Sequence, residues 1–297
     1  MKKLFTFTFL LSFLVLYSQE MTSDREDIIK NYIISSSFGD TRNDHFHTGI
    51  DLASNENEEI YSITDGRLIF YNTKKFRGIS YGLGNFAVIQ SEDNKYRITY
   101  SHLKENSLDI KKEKYKKNEK IANVGNTGHS TGPHLHLEIE DMQKNILINP
   151  LKFIKIKDRD KIPPIIEDVY FITTNREKIS LFKDNKIKRG GKLFIKTMDR
   201  INSQQNMITP YKIYVLIGGK EATILIFDYF RKINNDYYVS TNDYKFQDIY
   251  QNGINFDYYL MDFTSLPGVV GFNIIVEDYN GNKNEFRRAV KVLPPDL

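Results

Sequence analysis

The 297-residue chain has no cysteine, which excludes a thiol nucleophile, a thiolate metal site and any disulfide. Lipid attachment at a mature N-terminal cysteine is excluded as well. Stability must therefore come from buried apolar cores, although an oxidising compartment would have permitted cross-links. An excess of one charge is also lacking. Once Lys2 and Lys3 are set aside, 40 basic residues face 38 acidic ones, so the net charge argues against a nucleic-acid partner. A mostly apolar run without charge, Leu4 to Tyr17, follows Met1-Lys2-Lys3. Its fourteen residues fall short of the roughly 20 needed to span a bilayer, and a short basic start before an apolar run has the form of a secretory signal. Residues 1–18 are thus expected to be a signal peptide with cleavage at Ser18-Gln19. The mature protein is expected to be exported, periplasmic or secreted, with no integral membrane span.

Histidine is scarce too: all six lie between His45 and His136. Two of them stand in Ser130-Thr131-Gly132-Pro133-His134-Leu135-His136-Leu137-Glu138. Side chains of an extended segment alternate between faces, so His134, His136 and Glu138 share one face while Leu135, Leu137 and Ile139 take the other. Upstream, His47-Thr48-Gly49-Ile50-Asp51 pairs an imidazole with a carboxylate, both good zinc ligands. Gly49 and the β-branched Thr48 and Ile50 argue against helix. Fully extended, the His47 and Asp51 α-carbons would stand about 13 Å apart, too far for two ligands reaching one ion at about 2 Å. The chain is therefore expected to bend, and Gly49 is the place for it. A further imidazole, His102, follows an alternating stretch in Tyr100-Ser101-His102-Leu103.

Taken in order, His47-x-x-x-Asp51, Tyr100-x-His102-Leu103, Gly125-Asn126-Thr127-Gly128, the turn Ser130 to Pro133 entering His134-x-His136, and the closing Asn149-Pro150 resemble the lysostaphin-type zinc metalloendopeptidases of the bacterial cell wall. The resemblance covers residues 35 to 155. It implies that His47, Asp51 and His136 are zinc ligands, leaving a fourth position for a water whose pKa falls to near 7. His134 is then the general base, and His102 orients the water or stabilises the oxyanion, tasks that suit a side chain titrating near neutrality. The implied substrate is the peptide stems of peptidoglycan. The D-alanyl-diaminopimelate cross-link is favoured over an oligoglycine bridge. The alternative is a non-catalytic zinc-binding regulator or scaffold of the same fold, and a regulatory protein partner is also compatible. A third reading gives the main work to wall binding by the C-terminal part.

Other motifs carry less. Gly128-x-Ser130-x-Gly132 fits a nucleophile elbow in letters, but Pro133 and a strand follow the serine where a helix is required. The glycines of 125 to 132 have no phosphate-binding lysine beside them. Asp278-Tyr279-Asn280-Gly281-Asn282 hints at calcium, yet its glycine is misplaced and Ala289 stands where a bidentate glutamate belongs, so a hairpin turn is the preferred reading. His45 and His129 read as solvated loop residues. Glu138 is open between a hydrogen bond to an imidazole and strand-end solvation, and the basic run Lys111 to Lys120 reads as a solvated turn.

The fold expected is mainly β. In residues 19–160, short β-rich segments at Glu59 to Ile63, Gly66 to Tyr71, Asn85 to Gln90, Arg97 to Tyr100 and Leu135 to Glu140 suggest an antiparallel sheet with long connections. The stretch Asn72 to Gly84 is read as a loop flanking the groove. After the linker marked by Lys157 to Lys161 and Pro163-Pro164, residues 161–297 carry strands at Lys192 to Thr197, Tyr211 to Ile217, Ala222 to Phe227, Tyr237 to Ser240, Gly271 to Glu277 and Phe286 to Val292. That spacing predicts a β-sandwich of immunoglobulin-like type. Its tyrosines, Tyr237, Tyr238, Tyr258 and Tyr259 among them, are assigned to core and sheet packing rather than to sugar stacking.

Overall fold

Strict alternation along His134–Asp141 organises the first region: Leu135, Leu137 and Ile139 are fully buried. The structure, a computed structural model, describes residues 27–73, 82–156, 160–188, 190–201, 205–234, 236–240 and 243–294. The expected signal segment, Lys74, Lys75, Arg77 and Tyr81 of the expected groove loop, and Lys157 to Arg159 of the linker lie outside these residues.

His134–Asp141 pairs antiparallel with Tyr96–Ser101 on one side. On its other side it meets Ile50–Ala53 with its first half and Ile146–Ile148 with its second. Tyr96–Ser101 continues through Phe86–Ser91 and Gly66–Asn72 to Lys114–Tyr115, and Ile50–Ala53 pairs outward with Ile33–Ser36. Gly66–Asn72, Phe86–Ser91, Tyr96–Ser101 and His134–Asp141 lie where β-rich runs were expected, because isoleucine, valine and tyrosine at alternate positions suit a half-buried pleated surface, whereas the fifth expected run forms Glu59–Tyr61, which pairs with Lys120–Asn123 in a separate two-stranded sheet. Their inward side chains join Ile50, Leu52, Ile89, Ile98 and Tyr100 in one core.

Residues beyond 161 form two further sheets. One runs Lys178–Ser180, Ile165–Ile172, Gly190–Met198, Asp257–Thr264; the other runs Lys186–Lys188, Lys283–Leu293, Gly268–Glu277, Lys212–Ile217, Lys220–Ile226. Only the pairing of Lys186–Lys188 with Lys283–Leu293 is parallel among them. The turn 278–282 joins the last two long strands as a hairpin, with Gly281 at φ 88°. Four strands of these two sheets were not expected: Ile165–Ile172, Lys178–Ser180, Lys186–Lys188 and Asp257–Thr264. Ile165–Ile172 follows the proline pair directly, and its Glu167-Asp168 interrupts the alternation that marks a strand.

Tyr237 to Ser240 was assigned to the sandwich, but the strand Asp236–Val239 lies elsewhere. It pairs with Tyr229–Ile233, which pairs with Ile146–Ile148 and so extends the sheet of the first region. The reason is aromatic packing: Phe230 stacks on Phe38 at 4.2 Å between centroids and on Phe46 at 4.6 Å. Burying three phenylalanines together outweighs what this short hairpin would gain at a sandwich edge. Cores are shared accordingly, with Phe38, Phe46 and Leu147 buried among sandwich residues and Ile201 and Ile208 buried in the first core. Among the described residues no helix is long and apolar enough to cross a membrane.

Candidate metal centre

Strand register places the first pair of functional side chains. His136 stands directly opposite Asp51, and cross-strand partners on one face have Cβ atoms within about 5.5 Å. The chain bends at Gly49, just ahead of the strand, and brings His47 to the same point. Gly49 is required there, because an added Cβ would lie 2.4 Å from the Leu137 carbonyl and 2.7 Å from the His136 ring. The result is a triangle of donor atoms: His47 Nε2 to Asp51 Oδ1 3.1 Å, His47 Nε2 to His136 Nδ1 3.0 Å, and His136 Nδ1 to Asp51 Oδ1 2.9 Å. Ligands about 2.0–2.1 Å from a tetrahedral zinc stand about 3.3 Å from one another. Two imidazole nitrogens and a carboxylate, so spaced and without a thiol, fit a catalytic-type zinc site.

His134 and His102 border the triangle. His134 Nε2 is 3.9 Å from Asp51 Oδ1, and the His102 ring lies 4.5 Å from that of His134 and 6.1 Å from that of His136. Three of the imidazoles are locked in the same way. Nδ1 lies 2.8 Å from a backbone carbonyl in each: Ser37 for His47, Gly132 for His134, Thr127 for His102. A carbonyl only accepts, so each Nδ1 carries the proton and donates it, leaving the Nε2 lone pair directed away from that contact. His45 and His129 are both exposed, His129 in a loop as expected but His45 in the two-residue strand His45–Phe46.

Charge is tuned by the same packing. Burial pushes the His47 imidazole below its ordinary value, against the pull of Asp51. Burial also pulls His102 down to about 4, so this ring is neutral at pH 7. Burial opposes ionisation of Asp51, but His47 and His136 outweigh it and hold the carboxyl well below the usual carboxylate range.

Several residues that hold the centre were not singled out in the sequence. Arg42 donates through Nη2 to Asp51 Oδ2 at 2.6 Å and to Ser36 Oγ at 2.9 Å, fixing the carboxylate oxygen turned away from the histidines. Asp40 accepts from Ser36 Oγ, Ser37 N, Ser37 Oγ and Thr209 N at 2.6–3.0 Å, which sets the Ser37 carbonyl that orients His47. Thr127 lies at the middle of the second cradle: its hydroxyl donates to the Leu103 carbonyl and accepts from Asn85 N. Its loop packs against Gly84 so closely that a Cβ on Gly128 would lie 2.3 Å from Gly84 N. His102 is held at φ 60°, a left-handed backbone uncommon for a non-glycine residue and a mark of functional sites. Glu138 meets neither expectation, since its Oε2 accepts from Thr48 Oγ1 at 2.6 Å and anchors the turn between His47 and Asp51. For Arg42 and Asp40 the only sequence signal was their nearness to a histidine motif.

Comparison with known proteins adds a decisive observation: the family model described as peptidase family M23 matches residues 45–150, the span from the His47 turn to Asn149-Pro150. The chain carries an M23 peptidase domain. A second family model matches residues 163–292. The chain is 39% identical over 128 residues to an uncharacterized metalloprotease of Buchnera aphidicola, covering 41% of this chain and 31% of that protein. It is 36% identical over 93 residues to the peptidoglycan DD-endopeptidase ShyB of Vibrio cholerae, covering 31% of this chain and 20% of that one. The chain thus spans less than a third of the length of either relative. Among solved structures, the catalytic domain of the antimicrobial peptidase lysostaphin from Staphylococcus simulans is similar at 25% identity, over 37% of this chain and 81% of that one, with a TM-score of 0.33.

Proposed function

We propose that this protein is an exported zinc metalloendopeptidase that hydrolyses peptide cross-links of bacterial peptidoglycan. The observation that carries the reading is the triangle of His47, Asp51 and His136, bordered by two further imidazoles whose Nδ1 protons are committed to backbone carbonyls.

Zinc held by His47, Asp51 and His136 would supply a Lewis acid for the scissile carbonyl and lower the pKa of a water toward 7. His134, with its Nδ1–H held by Gly132, accepts the water proton at Nε2 and returns it to the leaving amine. His102 is neutral, and its Nε2 has a lone pair rather than a proton, so it accepts a hydrogen bond from the attacking water. That favours the water-orienting role over oxyanion stabilisation, which needs a donor. Arg42 and Glu138 keep Asp51 and the Thr48 turn in place. The D-alanyl-diaminopimelate link is the proposed bond, in keeping with the similarity to a peptidoglycan DD-endopeptidase of Vibrio cholerae.

Two variants separate the roles. His136→Ala should lose zinc and cleavage together, whereas His134→Ala should keep bound zinc and lose cleavage by 100-fold or more. Full cleavage by either folded variant would refute the assignment.

A further inference from the structure

A second cluster of acidic groups lies outside the His47, Asp51 and His136 triangle and is used by nothing in the proposed reaction. Asp160 precedes the proline pair, Asp199 follows the strand Gly190–Met198, and Asp278 opens the turn 278–282. All three are buried, and each offers a carboxylate oxygen within 4.8 Å of the others.

Three carboxylates brought out of water need a compensating charge or shared protons. Among the described residues no lysine or arginine pairs with Asp199 or Asp278. Asp278 is supplied by amides: Asn280 N and Asn282 N donate to its Oδ1, and Asn282 Nδ2 donates to its Oδ2. The same Asn282 amide donates to the backbone carbonyl of Asp160 at 3.0 Å, tying the linker to the turn. Asp199 is different. It is 4% exposed, and its Oδ1 is buried with no hydrogen-bond partner. Asp199 and Asp160, though not Asp278, also line a largely apolar cavity of about 20 Å³ that Ser37, Thr209 and Asn280 border, enough for one water-sized occupant.

We propose that Asp160, Asp199 and Asp278 bind one divalent cation of calcium type, with water completing its shell. An all-oxygen donor set suits a hard cation, and two oxygens each about 2.3–2.6 Å from calcium can stand up to about 5 Å apart, which the cluster satisfies as it is. The unpartnered Asp199 oxygen is the atom such an ion would take up. Burial, then Asp278 and Asp160, push the Asp199 carboxyl up to about 8 against the pull of a backbone hydrogen bond from Arg200. The ion would clamp three segments distant in sequence and stiffen the bridge between Asp199 and Ile208, next to the Thr209 amide that holds Asp40 and Ser37. This site does not depend on the peptidase reading.

The test is calcium titration of the full chain at constant zinc, read by thermal unfolding and by calorimetry. Calcium should bind at one per chain and raise Tm by about 5 °C at roughly a hundredfold excess over Kd, reversed by a calcium-selective chelator. Asp199→Asn and Asp278→Asn, each shown folded by near-UV circular dichroism, should weaken calcium binding at least tenfold while leaving zinc content unchanged. No calcium-dependent heat or Tm shift in the wild type, with Asp199→Asn at least as stable as wild type at pH 8, would overturn the proposal and make the cluster a set of carboxyls sharing protons.

Discussion

Asp40→Ala tests how far the metal centre depends on residues remote from it. The Asp40 carboxylate is 6% exposed and accepts two backbone N–H groups, Ser37 and Thr209, as well as two serine hydroxyls. Hydroxyls can rotate to new partners and the Thr209 amide keeps the Ser37 hydroxyl at 3.1 Å, but the Ser37 amide is left without its acceptor. A buried donor left without a partner costs about 1–3 kcal/mol, so the substitution should destabilise the protein by about 2 kcal/mol. The Ser37 carbonyl would then no longer be fixed against His47 Nδ1, and loss of such an orienting contact weakens metal binding by about 10–100-fold. Asp40→Asn keeps one acceptor and should show about half of each effect. Denaturant unfolding measures the first quantity and zinc competition with a chromophoric chelator the second. Unchanged zinc affinity in a folded Asp40→Ala protein would refute the argument that this carboxylate positions the metal ligand.

Three further outcomes follow from the same contacts. Gly128→Ala places a Cβ 2.3 Å from Gly84 N at φ 78°, so it should displace the Thr127 carbonyl that holds His102 and lower kcat by tenfold or more with zinc retained. Phe230→Ala removes the ring stacked on Phe38 and Phe46 and should cost about 3–5 kcal/mol in unfolding free energy; less than about 1 kcal/mol would show that the hairpin is not anchored there. In metal-free protein, burial holds the folded pKa of His102 near 4 against about 6.5 unfolded. Between these values the unfolded chain binds the extra proton, so this contribution is present above pH 6.5 and is lost as pH falls from 6.5 to 4. Wild type should lose about 2–3 kcal/mol more than His102→Gln over that interval, and equal slopes would contradict it.

The sequence made the chemistry legible where it obeys a local period. A two-residue alternation puts His134 and His136 on one face, and a five-residue segment with a central glycine can fold back on itself. Both follow from backbone geometry over a few residues, and the structure brings those side chains together. Contacts across long separations were hidden. Asp40 meets Thr209 across 169 residues, and nothing within either segment announces the other. The hairpin of Tyr229–Ile233 and Asp236–Val239 has an ordinary strand signature, and only the Phe38 and Phe46 rings determine which sheet it joins. Arg42 and Glu138 were readable as residues but not as roles, because the partner of each depends on the turn between His47 and Asp51. The turn at Asp278 was correctly expected to be a hairpin, and its carboxylate gained a second context only once Asp160 and Asp199 were seen beside it.

The most direct test of the central claim is mass spectrometry of muropeptides released from diaminopimelate-type sacculi by protein lacking residues 1–18. The incubation is run with zinc, with a chelator, and with His134→Ala. Zinc-dependent conversion of cross-linked dimers into monomers, absent with chelator and in the variant, is the result predicted here. Dimers left intact by zinc-loaded, folded protein, or cleaved equally well by His134→Ala, would contradict it.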